Sequence, residues 1–186
     1  GISVQTDKQN YAVGDMVTLS LTLSNPHPFG YIAWLYVSVW GQGYSFYRNP
    51  GQPLELPPLG SLAYTASFSI PPDAPFGTYG IEARANYTVP GRGNINAGWG
   101  NGSLSVPYPL LSLMPILPDV WGMQNTINFK IENIGIQKVD LAELNITLRD
   151  PQWTLVWEGK NTFVGLLPGM TVTSTMSVPI TYISFG

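Results

Sequence analysis

Apolar and polar residues alternate along most of this chain. From Val17 to Leu23 every second residue is apolar, and the residues between are Thr or Ser. The segment 79–89 alternates in the same way, with Glu82, Arg84 and Asn86 on its polar face. A period of two indicates antiparallel strands with one buried face, and no segment shows a convincing helical period.

Short alternating segments separated by Pro and Gly turns predict an all-β protein built of β-sandwiches. We predict two tandem immunoglobulin-like domains, residues 1–106 and 107–186, joined by a proline-rich connection after residue 106. The predicted strands of the first domain are 2–6, 16–24, 31–40, 44–48, 61–70, 78–89 and 102–106. Those of the second domain are 110–116, 124–133, 141–149, 154–158 and 170–180.

An internal repeat supports this division. LTLSNP begins at residue 21 and FKIENI at residue 129, an offset of 108. FSIP begins at residue 68 and MSVP at residue 176, which is again an offset of 108. Two separate segments with one offset indicate a structural repeat of low sequence identity.

The second copy has no counterparts of the last two strands of the first copy. Three explanations stay open: the sequence is a fragment, the domain closes with fewer strands, or a strand from another subunit completes it. Under the third explanation the open groove is edged by the apolar positions of the final segment, Met176, Val178, Ile180 and Tyr182.

Composition narrows the function classes. Charged residues make up 10% of the chain, against about 25% in typical proteins. The net charge is −3 and no basic run occurs, which argues against nucleic-acid binding. The chain has no cysteine, and no run is as long as a membrane helix, so we expect no disulfide and no membrane insertion.

The opening segment 4–26 resembles the first hairpin of many extracellular immunoglobulin-like domains, through its TDK turn, Tyr11, and Gly14-Asp15 before an alternating strand. PFGTYGIEA (75–83) is similar to a late strand of those domains. With its low charge, absent cysteine and sequons, the whole chain resembles the thread-filament subunits of thermoacidophilic archaea. That resemblance implies a glycosylated cell-surface subunit, assembled head to tail with identical subunits by donor-strand complementation, with adhesion as a role.

Three Asn-X-Ser/Thr sequons, which accept N-linked glycans, begin at Asn86, Asn101 and Asn145. Asn86 and Asn145 fall on the polar faces of predicted strands. Asn101 falls in the glycine-rich stretch NAGWGNGS, which we interpret as a loop. All three are therefore expected to be accessible.

The segment 31–40 has an aromatic face with Trp34, Tyr36 and Trp40, and an aliphatic face from Ala33 to Val39. If the aliphatic face is buried, the aromatic face is an interface or a ligand platform, which Tyr44, Phe46, Tyr47 and Trp99 could extend. If the faces are reversed, Trp34 is a core tryptophan. An outward face fits a subunit contact or a carbohydrate-binding module, and a surface-layer stalk domain is a further alternative function.

No catalytic site, metal site or cofactor is expected. His27 is the single histidine and lies in the proline-flanked turn SNPHPFG, so we interpret it as a loop residue. No nucleophile motif, carboxylate pair or phosphate-binding loop is present. Asp7, Asp15 and Asp73 are too few and too irregular to predict a calcium site.

Overall fold

The computed structural model describes residues 1–179, and every regular element within them is a β-strand. The chain divides into two compact units, Gly1–Tyr108 and Pro109–Gly186, close to the predicted boundary after Val106. The protein is thus all-β, with antiparallel sheets that form β-sandwiches, as the alternation predicts. Among the described residues there is no helix of the length and hydropathy needed to span a membrane.

Unit 1 contains eight strands, which form a three-stranded sheet β1-β2-β6 and a five-stranded sheet centred on β3 and β7. One edge of β3 pairs with β7, which pairs in turn with β8, and the other edge pairs with β4 and β5. The strands are β1 Ile2–Thr6, β2 Met16–Ser24, β3 Tyr31–Gly41, β4 Tyr44–Arg48, β5 Gln52–Leu56, β6 Ser61–Ser69, β7 Gly77–Val89 and β8 Gly93–Val106.

The core of unit 1 consists of the inward residues of both sheets. The apolar positions of β2, from Val17 to Leu23, are at most 1% exposed, and those of β3, from Ala33 to Val39, are equally buried. Tyr79 is fully buried at the start of β7, and its hydroxyl donates a hydrogen bond of 2.5 Å to the carbonyl oxygen of Pro75. This tyrosine corner is typical of immunoglobulin-like sandwiches and ties the turn before β7 to the strand.

The glycine-rich stretch NAGWGNGS lies within β8, so our interpretation of it as a loop is wrong. Its glycines allow β1 to pack directly against β8: a Cβ at Gly100 would collide with the carbonyl oxygen of Ile2, and one at Gly102 would lie 2.8 Å from Val4 Cγ1. Glycine in a strand often marks such a close approach.

The segment that follows β1 joins β8 in parallel. The Tyr11 N–H donates to Ser105 O at 2.9 Å, and the Ser105 N–H donates to Gln9 O at 2.9 Å. Asn10 and Ser105 form a parallel bridge at this point. The beginning and the end of unit 1 are therefore linked by backbone hydrogen bonds.

Unit 2 contains five described strands. Within the described residues, β9-β10-β13 form one sheet and the β11-β12 hairpin forms the other. The strands are β9 Leu111–Ile116, β10 Gln124–Asn133, β11 Val139–Arg149, β12 Leu155–Leu166 and β13 Thr171–Pro179. Most lie close to the predicted ranges, but β12 extends eight residues beyond the predicted 154–158, and β5 in unit 1 was not predicted at all.

The internal repeat is structural. Strands β2 and β6 pair in unit 1, and the strands at the offset of 108, β10 and β13, pair in unit 2. The repeat also places a buried asparagine at the same position in each unit, Asn25 and Asn133. Asn25 Nδ2 donates to Phe29 O and Pro57 O at 2.8 and 2.9 Å, and Asn133 Nδ2 donates to Gln137 O and Leu166 O at 2.8 and 2.9 Å.

Asp7 fastens the turn after β1. Its Oδ1 accepts hydrogen bonds from the Thr18 N–H at 2.7 Å and from the Tyr11 hydroxyl at 2.8 Å. These donors favour the charged carboxylate, the Thr18 N–H most strongly, and they hold the pKa of Asp7 below its usual range.

We therefore expect Asp7→Asn to lower the free energy of unfolding of unit 1 by about 1 kcal/mol at neutral pH, since the site is exposed and screened. The folded pKa is depressed, so this contribution is present above the unfolded pKa and is lost as pH falls through the folded pKa. Urea unfolding at pH 7 and at progressively lower pH measures it. Asp119→Asn, at an exposed position, is the control; a pH-independent difference for Asp7→Asn would contradict the assignment.

Candidate functional site

The aromatic side chains of β3 face outward. Trp34 is 45% exposed, Tyr36 42% and Trp40 56%, whereas the alternating aliphatic residues of the same strand are buried. Of the two orientations that the sequence leaves open, the structure thus has the one in which Trp34 lies outside the core. We call the outer surface of β3, β7 and β8 the aromatic face.

The strand register brings one more aromatic residue onto this face. Tyr36 of β3 lies opposite Arg84 of β7, and Arg84 lies opposite Trp99 of β8. Trp99 is 60% exposed. An aromatic ring, a guanidinium group and a second aromatic ring therefore form one row across three strands.

The other aromatic residues proposed to extend this face do not belong to it. Tyr44, Phe46 and Tyr47 are partly buried and pack against the core of unit 1. The Phe46 ring lies 5.8 Å from the Phe68 ring, and the Tyr47 ring stacks on Phe68 at 4.6 Å. Phe46 and Tyr47 thus contact a residue of β6 in the opposite sheet, and they do not extend the aromatic face.

Polar residues divide the aromatic face into two grooves. Arg84 Nε forms an ion pair with Glu82 Oε1 on the same strand face, and this pair lies between the grooves. A groove of about 360 Å³ lies on the Tyr36 side of the pair and also contacts Arg48 and Asn86. A second groove of about 540 Å³ lies on the Trp99 side; its lining residues are Glu82, Arg84, Asn86, Asn96, Trp99 and Asn101.

The three sequon asparagines lie on strands. Asn86, in β7, is half-buried opposite Trp34, and Asn101, in β8, is exposed opposite Glu82. Asn145, in β11, is exposed and donates a hydrogen bond of 3.0 Å to Glu143 Oε1. Two of the three sequons therefore lie on the aromatic face. The sequence does not reveal this, because it does not show which residues of β7 and β8 lie opposite each other.

Strand β11 in unit 2 has an incompletely covered inner face. Its inward residues Leu144, Ile146 and Leu148 pack on the opposite sheet but are only half-buried. Among the described residues, the only strand that pairs with β11 is β12. The counterpart in unit 1, β3, has strands along both edges.

The predicted groove edge along the final segment falls partly on β13. Val178 is fully buried and Met176 is half-buried against Ile127 and Phe129, and among the described strands β13 pairs only with β10. Ile180 and Tyr182 lie outside the described residues. Met176 therefore shares its half-buried state with Leu144, Ile146 and Leu148 of β11, which pack in the same cluster.

His27 occupies a turn beside other rings. It stacks on Phe29 with a centroid distance of 5.2 Å and meets Tyr31 edge-on at 6.2 Å. No group of three or more His, Cys, Asp or Glu residues capable of holding a metal ion occurs within residues 1–179. The sequence did not single out Glu82, Arg84 and Asn96 as groove residues. Glu82 and Arg84 were visible only on the polar face of the segment 79–89, and Asn96 lay in the stretch interpreted as a loop.

No protein-family model matches the chain, and no curated protein sequence is similar to it. Several solved structures are similar to it at low identity. A Paenibacillus cycloisomaltooligosaccharide glucanotransferase is 17% identical with a TM-score of 0.44, over 57% of this chain and 14% of the enzyme. The CARDB domain of a Pyrococcus furiosus protein is 14% identical with a TM-score of 0.43, over 57% of this chain and 90% of that domain.

A DUF4785 family protein from Legionella pneumophila is 15% identical with a TM-score of 0.41, over 95% of this chain and 46% of that protein. The chain therefore spans only a small part of the glucanotransferase and about half of the Legionella protein. These similarities carry no information about activity or ligands.

Proposed function

We propose that the protein is a structural subunit of an extracellular filament, in which unit 2 accepts a β-strand from an identical subunit along the free edge of β11. The observation that carries this proposal is the contrast between β3 and β11. The inward apolar residues of β3 are at most 1% exposed, whereas the inward residues of β11, Leu144, Ile146 and Leu148, are only half-buried within the described structure.

One added strand would cover the inner face of β11 as β7 covers that of β3. In unit 1, β7 lies along β3 and contributes the buried residues Tyr79, Ile81, Ala83 and Ala85 to the core. A strand with the same alternation beside β11 would satisfy its outward N–H and C=O groups and cover Leu144, Ile146 and Leu148. Strand addition of this kind gives main-chain hydrogen bonds for affinity and side-chain pockets for specificity.

The surface chemistry supports an extracellular setting. Most of the few charged residues of the chain are exposed beside many neutral polar residues, and two of the three sequon asparagines are exposed. N-linked glycans on these asparagines would add solubilising surface where charged groups are scarce. The composition and the sequons together favour a secreted, glycosylated chain with a mechanical role and no enzymatic one.

Hydrogen exchange of β11 tests this proposal directly. In a two-stranded antiparallel pair, alternate residues point their N–H groups away from the partner strand. We expect the amides of β11 that point away from β12 to exchange fast in dispersed chains and slowly in assembled material. Electron microscopy should then show filaments, which resist SDS until they are heated.

Two variants control this experiment. Ile146→Asp places a charge on the inner face of β11 and should abolish assembly, whereas Thr162→Asp, on the exposed face of β12, should not. If the outward amides of β11 are protected to the same extent in dispersed chains, the edge is closed within one molecule. That result would overturn the proposal and would favour a surface-layer stalk domain.

A second candidate function is a carbohydrate-binding module, and the outward orientation of Trp34, Tyr36 and Trp40 favours it. Exposed aromatic rings on a sheet offer flat apolar surfaces against which sugar rings stack. We expect the triple alanine variant at these positions to lose at least tenfold in polysaccharide retention, about 1.4 kcal/mol, if this function holds. If the triple variant still binds the polysaccharide but no longer assembles, the exposed aromatic residues of β3 form a contact between subunits.

A further inference from the structure

The sequon at Asn101 lies beside an exposed indole on the same face of the same strand. Asn101 and Trp99 are two residues apart in β8, and both are exposed. Such residues lie about 7 Å apart along a strand. The first sugar of a glycan bonded to Asn101 Nδ2 therefore reaches the ring of Trp99.

The neighbouring strand supplies polar partners at the same level. Across from Asn101 and Trp99 stand Glu82 and Arg84, whose carboxylate and guanidinium groups form an ion pair. All four residues line the groove of about 540 Å³. This groove thus combines an apolar wall that fits the C–H face of a sugar with charged groups that bond to its hydroxyls.

Of the three sequons, the one that begins at Asn101 has side chains with the fewest hydrogen bonds to the protein. Thr88, in the sequon of Asn86, donates a hydrogen bond of 2.7 Å to Asn94 Oδ1. Asn145 donates to Glu143, and its nearest neighbours on the strand face are Glu143 and Thr147. Asn145 is therefore a sequon without an aromatic neighbour at two-residue spacing and serves as an internal control.

We propose that an N-linked glycan on Asn101 folds back onto the aromatic face, with its first sugar rings stacked on Trp99 and its hydroxyl groups bonded to Glu82 and Arg84. The proposal rests on the glycosylated setting of the proposed function but does not depend on assembly. A bond forms between Asn101 Nδ2 and the anomeric carbon of an oligosaccharide carried on a lipid phosphate. The amide gives up one proton, and the phosphate-bearing lipid is the leaving group.

In this arrangement the glycan fills the groove beside Trp99, and it leaves the exposed aromatic residues of β3 uncovered. Trp34 and Trp40 lie on β3, separated from β8 by the whole width of β7. A glycan on Asn101 would cover Trp99 and leave the β3 tryptophans accessible for contacts. The exposure of the Trp99 indole is then explained, because this ring binds a glycan that is covalently attached to the same strand.

The test uses the full chain produced in a host that glycosylates it. Peptide mass spectrometry measures occupancy at Asn101 and Asn145, and proton NMR measures the sugar resonances. We expect a set of sugar protons shifted upfield by the indole ring. These shifted signals should persist in Asn145→Gln and should be lost in Asn101→Gln and in Trp99→Ala, while Trp99→Ala leaves the occupancy of Asn101 unchanged.

Three results would overturn the proposal. Asn101 is found unmodified in glycosylated material; or its sugar protons have the same shifts with and without Trp99; or the unglycosylated chain binds free diacetylchitobiose through Trp99 while Asn101 stays unmodified. The last result would assign the groove to a saccharide from another source. The proposed function fails separately, through absent assembly, and upfield-shifted signals in a chain that never assembles would leave this inference standing.

Discussion

Replacing Asn133 with alanine is expected to lower the free energy of unfolding of unit 2 by about 3 kcal/mol. Asn133 is completely buried, and its Nδ2 donates to the carbonyl oxygens of Gln137 and Leu166. Its Oδ1 accepts from the Gly135 N–H at 3.1 Å. Alanine would remove the side-chain donor of two carbonyl oxygens, while the Gly135 N–H keeps Leu110 O as a second acceptor at 3.1 Å. Each unsatisfied buried group costs about 1–3 kcal/mol, less where water enters.

The same substitution at Asn25 should cost a similar amount in unit 1, because Asn25 makes the corresponding contacts with Phe29, Pro57 and His27. Urea unfolding of the single variants measures both. Asn128→Ala, at an exposed position in the same strand as Asn133, is the matched control and should cost well under half as much. Equal effects at Asn128 and Asn133 would show that burial of the asparagine does not set the cost.

The second large effect is expected from a matched pair of core leucines. Leu35 in β3 is fully buried, and Leu35→Ala should cost about 3–4 kcal/mol through lost transfer energy and the cavity left behind. Leu144 in β11 is only half-buried, and Leu144→Ala should cost about half as much in dispersed chains. Denaturant unfolding of both variants at low protein concentration measures this ratio.

Assembly should change the ratio in one direction. If an added strand covers β11, Leu144→Ala will destabilise assembled material more than dispersed chains, whereas Leu35→Ala will affect both alike. The temperature at which assemblies dissociate measures this difference. A cost at Leu144 that already equals the cost at Leu35 in dispersed chains would mean that the inner face of β11 is fully covered without a partner.

Alternation alone predicted most of the strands, because a sandwich buries every second residue and the pattern is local. The stretch 93–101 escaped prediction for a physical reason. Glycine and asparagine favour turns, so GRGNINAGWGNG reads as a loop, yet Gly100 and Gly102 are there to admit β1 against β8. Close approach between strands distant in sequence leaves no periodic signal.

Only part of the candidate site could be predicted from the sequence, for a similar reason. The outward stripe of Trp34, Tyr36 and Trp40 follows from the alternation of a single strand. The neighbours Arg84 and Trp99 follow from the register between strands, which turns and bulges determine. A bulge between Ala85 and Asn86 shifts that register, so the partner of Asn101 could not be deduced from its position in the chain.

The parallel contact between the segment after β1 and β8 has a mechanical consequence. Its bonds between Tyr11, Ser105 and Gln9 run across two segments that point the same way along the chain. Tension applied between Gly1 and Tyr108 pulls these segments past each other along their length. The bonds are then loaded in shear and must break together, whereas an antiparallel hairpin pulled from its open end unzips one bond at a time. We therefore expect unit 1 to resist extension between its two ends more strongly than a hairpin with the same number of bonds.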